Sequence, residues 1–138
     1  MVGVVLVSHS AKLAEGIAEL IAPMQPELSV RAAGGTNDGR LGTSADRIYE
    51  AIVELDNPDG VLILLDLGSA VMSAEIALEW LDDEQRARVL ISDAPLVEGA
   101  VLVATNAGLG LSLEELAVSA QEARQFPKDV GPVPSGRG

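Results

Sequence analysis

With 138 residues and a formal net charge of −12, the chain is long enough for one domain with a real core and too acidic to neutralise nucleic-acid phosphates. Only Trp80, Tyr49 and Phe126 are aromatic, so bases find little to stack on, and the absence of cysteine excludes disulfides and thiolate metal sites. No apolar stretch is long enough to span a bilayer, and Val2–Val7 is too short and lacks the basic flank of a signal peptide, so a cytoplasmic domain without membrane insertion is expected.

Strand and helix signals alternate along the chain. Val2–Val7 (VGVVLV) is a continuous apolar run of strand length, as in a strand covered on both faces. Leu13, Ile17, Leu20, Ile21 and Met24 follow at helical spacing and stop before Pro26. Leu28–Ala33 reads as a second strand, followed by a glycine-rich loop over Gly34–Gly42. Thr43 or Ser44 can cap a helix with apolar positions at Ile48, Ile52 and Leu55. Asn57-Pro58-Asp59-Gly60 is a turn before a third strand, Val61–Leu65, which holds no polar residue. Gly68 or Ser69 opens the next helix, with Met72, Ile76 and Leu81 expected inward. A short fourth strand is expected at Val89–Ile91, then helices over Ala94–Ala107 and Ser112–Arg124, the latter with a capping box of Ser112 and Glu115. Residues 1–125 form the domain, and 126–138 read as a Pro/Gly-rich tail or linker.

Alternation with fully apolar strands predicts an α/β fold, a doubly wound and mainly parallel sheet with helices on both faces. Chemistry in such sheets sits beyond the carboxyl ends of the strands. His9, the only histidine, lies there after the first strand, and Asp66 follows the third. If those strands are neighbours, the Asp66 carboxylate can accept from His9 Nδ1–H and leave Nε2 bare and nucleophilic. Asp66 also reads as a cap or turn residue. Ser69 reads equally as an N-cap or, with the Gly68 backbone, as an anion holder at a helix start. Ser10 and Thr43 complete the candidate phosphate contacts.

A hydrolytic triad is disfavoured, because Leu67-Gly68-Ser69-Ala70-Val71 is not the G-x-S-x-G elbow. A response-regulator receiver would need an acidic pair where Ser8-His9 stands. No dinucleotide fingerprint follows the first strand and no P-loop lysine exists.

Val5–Gly16 (VLVSHSAKLAEG), Ala32-Ala33-Gly34-Gly35, Leu41-Gly42-Thr43-Ser44, Leu65–Ala70 (LDLGSA) and Ala94–Gly99 (APLVEG) occur in one order. Together they resemble the phosphotransferase subunit of the PTS-dependent dihydroxyacetone kinase, a branch of the mannose-type enzyme IIA family. The resemblance implies a homodimer whose phosphorylated histidine matches His9 and whose supporting aspartate matches Asp66. It implies HPr as phosphoryl donor and, as acceptor, ADP held by the kinase's nucleotide-binding subunit. It implies no metal and no cofactor bound by this chain itself. Some members carry fused HPr-like modules; here the donor is expected to be a separate protein, unless the chain is one part of a longer product. The alternatives are a sugar-transport enzyme IIA that passes phosphate to a IIB partner, and a non-catalytic regulatory module.

Overall fold

The four apolar runs become four parallel strands: β1 (Gly3–Ser8), β2 (Val30–Gly34), β3 (Val61–Leu65) and β4 (Val89–Ser92), in the order β2-β1-β3-β4. A computed structural model describes residues 1–134. The helices are α1 (Ala11–Ile21), α2 (Ala45–Leu55), α3 (Val71–Glu79), the four-residue α4 (Asp83–Arg86), α5 (Leu96–Asn106) and α6 (Leu113–Gln121). A 3-10 turn, Gly68–Ala70, leads into α3.

Side chains alternate across each strand, so both faces of the sheet are apolar and each needs a cover. Val4, Leu6, Leu62 and Leu64 pack with Ile17 and Ile21 of α1, Val103 of α5 and Leu116 of α6. Val5, Val7, Ile63 and Leu65 pack with Ile48 and Ile52 of α2 and Ala74 and Ala77 of α3. Register brings Val7 level with Leu65 on one side and Ala33 on the other. The residues that follow, His9 and Asp66, therefore end on one rim.

Several expectations shift. The second strand begins at Val30 rather than Leu28, though Leu28 is still buried. The short α4 between α3 and β4 carries no periodic signal in four residues, and a capping box of Asp82 and Gln85 holds it. The inward reading of α3 is wrong for two residues: Met72 is 72% exposed and Ile76 is 38% exposed, while Ala74 and Ala77 are fully buried. Alanines let α3 lie close against the sheet and α2, and Leu81 alone of the expected trio is buried. Similarly, Leu13 and Met24 face out while Ala14 lies inside α1. The capping box of Ser112 and Glu115 forms as expected, with α6 starting at Leu113.

Beyond a final 3-10 turn (Glu122–Gln125), residues 127–134 have no regular structure and are exposed; one contact is Lys128 Nζ to Glu98 Oε2 at 2.6 Å. The rest of the expected tail, 135–138, lies outside the described residues. No helix among the described residues is long and apolar enough to cross a membrane.

Candidate functional site: a histidine held from two sides

β1 ends in the buried Ser8, and the chain then turns into α1 with Ser10 as N-cap, its hydroxyl accepting Leu13 N–H at 3.2 Å. His9 stands between them at the rim. β3 is a direct neighbour of β1, so Asp66 arrives beside it. The Asp66 carboxylate accepts from His9 N–H at 2.9 Å, Ser8 Oγ–H at 3.0 Å and Leu67 N–H at 2.7 Å. His9 Nδ1 lies 3.0 Å from Asp66 Oδ1 and 3.2 Å from Oδ2. An ionised carboxylate only accepts, so Nδ1 carries the proton and Nε2 presents its lone pair.

Burial alone would raise the Asp66 pKa, but the hydrogen bonds from the His9 backbone, the His9 ring and Ser8 outweigh it. Asp66 is thus held below the ordinary aspartate value and stays ionised as the histidine's partner.

Ser69 Oγ lies 2.9 Å from His9 Nε2 and donates to it in this tautomer. Ser69 is not the N-cap of α3, since no side chain caps the 3-10 turn or α3. The N–H groups of Gly68 and Ser69 have no acceptor among the described residues. They open a helical start that carries no acidic residue in its first turn, and the first turn of α1 carries none either. The first turns of α2, α4, α5 and α6 all do. The carboxylate at these two starts is Asp66, which takes up His9 N–H and Leu67 N–H and leaves the N–H groups of Gly68 and Ser69 for an anionic group.

The loop after β2 closes the other side. Gly35 N–H donates to Ser8 O at 3.0 Å and Gly42 N–H to His9 O at 2.8 Å. Gly34 is required by close approach: a Cβ there would fall 2.5 Å from Ser10 O and 2.8 Å from Ala11 Cα. Thr43 Oγ1 meets Ser73 Oγ of α3 at 2.7 Å, so this hydroxyl ties the loop to α3. Among the described residues the polar partners of the His9 ring are Asp66 and Ser69; the Ser10 and Thr43 hydroxyls make their contacts elsewhere. Ser8, the polar residue that closes an otherwise apolar strand, joins the site through its buried hydroxyl, which donates to Asp66 Oδ2 at 3.0 Å and accepts Ser10 N–H at 3.0 Å. No group of three His, Cys, Asp or Glu among the described residues is placed to hold a metal.

Residues 3–117 match the EIIA-man family model, described as the PTS system fructose IIA component. The chain is 44% identical over 117 residues to phosphoryl donor subunit DhaM of PEP-dependent dihydroxyacetone kinase 2 from Listeria innocua, covering 84% of this chain and 94% of that one. The chain belongs to the EIIA-man family, among the DhaM phosphoryl-donor subunits. The PTS-dependent dihydroxyacetone kinase DhaM of Lactococcus lactis is 37% identical, with 83% and 89% of the two chains covered. Escherichia coli DhaM is 37% identical along 98% of this chain, which spans only 29% of that longer protein. A crystal structure of a protein of unknown function, EF1359, superposes with a TM-score of 0.79 at 38% identity, covering 88% of this chain and 95% of that one. A sigma-54 interaction domain protein from Enterococcus faecalis superposes with a TM-score of 0.64 at 16% identity and 90% coverage of each, which shows the fold alone.

Proposed function

We propose that this chain is a phosphohistidine carrier of a dihydroxyacetone kinase, charged on His9 Nε2 by HPr and discharged to ADP held by the nucleotide-binding subunit. The observation that carries the reading is the fixed tautomer: Asp66 holds Nδ1–H, and Nε2 faces the open rim beside Ser69. Curated relatives are named phosphoryl donor subunits of that kinase, and the match to the Listeria innocua subunit extends over nearly its whole length.

In the charging step Nε2 attacks the phosphorus of the donor's phosphohistidine. The Nε2–P bond forms as the donor's P–N bond breaks, and the donor imidazole leaves with the bond's electron pair. The His9 ring gains positive character, which the ionised Asp66 offsets through Nδ1–H. Ser69 Oγ–H swings from Nε2 to a phosphoryl oxygen, joined by the N–H groups of Gly68 and Ser69. Discharge repeats the displacement with the β-phosphate oxygen of ADP as nucleophile. Phosphoryl transfer asks for positioning and charge stabilisation rather than further covalent work. The nucleotide is the partner's ligand in this reading, and the carrier functions as a cytoplasmic homodimer.

The family description names a sugar-transport IIA component, which gives the alternative acceptor, a IIB-type protein. Charged chain is mixed separately with the ADP-loaded kinase subunit and with a IIB-type protein. ATP forming on the kinase subunit supports the proposal; phosphate moving only to the IIB-type protein contradicts it.

A further inference from the structure

The chain holds one tryptophan, one tyrosine and one phenylalanine, and the first two sit together on the surface. Trp80, just past α3, is 49% exposed and meets Tyr49 of α2 edge-to-face with ring centroids 5.9 Å apart. Met72 and Ile76 continue from Trp80 along α3 at four-residue spacing, and Val53 lies one turn beyond Tyr49 on α2; all three are exposed. Spending its bulky apolar residues outward and its alanines inward is the reverse of what a solvated surface helix does. Aromatic residues and methionine flanked by charge mark protein contact surfaces rather than solvated ones.

This strip starts at the site. Met72 follows Ser69 by one helical turn, so a protein whose reacting group reaches His9 Nε2 also covers the upper end of the strip. Exposed acids border it, Glu75 and Glu79 on α3 and Asp46 and Glu50 on α2. A second copy related by a two-fold axis would lay these acidic rows against themselves. A cationic face studded with apolar side chains complements them.

Resting on the carrier reading above, we infer that the α2–α3 strip of Met72, Ile76, Trp80 and Tyr49 is the docking surface for the phosphoryl acceptor, a protein presenting a cationic, apolar-studded face. It supplies most of the grip, while the rim around His9 supplies the chemistry.

Trp80 is the probe. ADP-loaded kinase subunit, titrated into the full chain, shifts Trp80 emission as the indole is desolvated, and the shift weakens with rising salt. Met72→Asp and Glu79→Lys, both at exposed positions, raise the KM for that subunit roughly tenfold with kcat near wild type. Glu79→Lys, at the end of α3 remote from His9, is charged by HPr at the wild-type rate. Wild-type discharge kinetics in both variants, or a defect confined to charging, overturns the inference. So does a dimer that Met72→Asp splits into monomers in sedimentation, since a second copy then covers the strip. Failure of the wild-type chain to take up phosphate defeats the carrier reading instead, while Trp80 emission still reports docking by itself.

Discussion

One carboxylate grips His9 at two points: Asp66 accepts the His9 backbone N–H at 2.9 Å and the ring Nδ1–H at 3.0 Å. The first bond fixes where the residue stands on the rim and the second fixes its tautomer and ring plane. A rim carboxylate does this without being part of either apolar layer.

Asp66→Ala is therefore expected to fold and to lose transfer. Circular dichroism should match wild type, and the charging rate should fall roughly 10²-fold or more, the range of a positioned acid–base or orienting group. A folded variant with wild-type charging would reduce Asp66 to a turn residue.

The same bonds set a pH dependence of stability. The folded pKa of Asp66 lies below its ordinary value of 3.8, so its ionised form stabilises the fold. That contribution is fully present above the unfolded pKa and disappears as pH falls through the lower folded value. Urea unfolding of wild type and Asp66→Asn should differ at neutral pH, and the difference should shrink as pH drops below about 4. A difference that grows on acidification would reverse the sign of this account.

Ser69→Ala removes the hydroxyl that meets Nε2 at 2.9 Å and leaves the backbone N–H groups of the turn in place. Transfer should slow roughly 10²-fold, the scale of one lost oxyanion donor, with stability within about 0.5 kcal/mol of wild type because Ser69 is exposed and caps no helix. Single-turnover charging in rapid quench reads this directly, and an unchanged rate would leave phosphate holding to the backbone alone.

Two glycines at the rim separate space from chemistry. Gly34→Ala places a Cβ 2.5 Å from Ser10 O, where backbone of the α1 start must move, and should destabilise by about 1–3 kcal/mol in chemical denaturation. Gly68→Ala meets nothing within 4 Å and should be tolerated by the fold. Equal stability of both variants would show that the loop after β2 yields more easily than its packing indicates.

Most of the sheet was legible because its residues admit one reading. Val61–Leu65 has no polar position, so it is a strand covered on both faces, and β3 keeps those bounds. The approach of Asp66 to His9 follows from β1 and β3 being neighbours. The inward face of α3 is hidden in the sequence because its alanines carry little hydrophobic signal beside Met72 and Ile76, yet closeness of packing favours them inside. Local hydroxyl partners, such as Glu115 for Ser112, are legible in sequence, but distant ones are not: Thr43 meets Ser73 across thirty positions and Ser8 meets Asp66 across fifty-eight, separations that only the fold brings together.

The central claim is that His9 carries the phosphoryl group. Intact-mass and acid-lability measurements on the chain, after incubation with phosphoenolpyruvate, enzyme I and HPr, test it most directly. The account predicts one acid-labile phosphate per chain, mapped to His9 and absent from His9→Ala. Phosphate retained by folded His9→Ala, or none acquired by wild type under conditions that fully charge HPr, would contradict it.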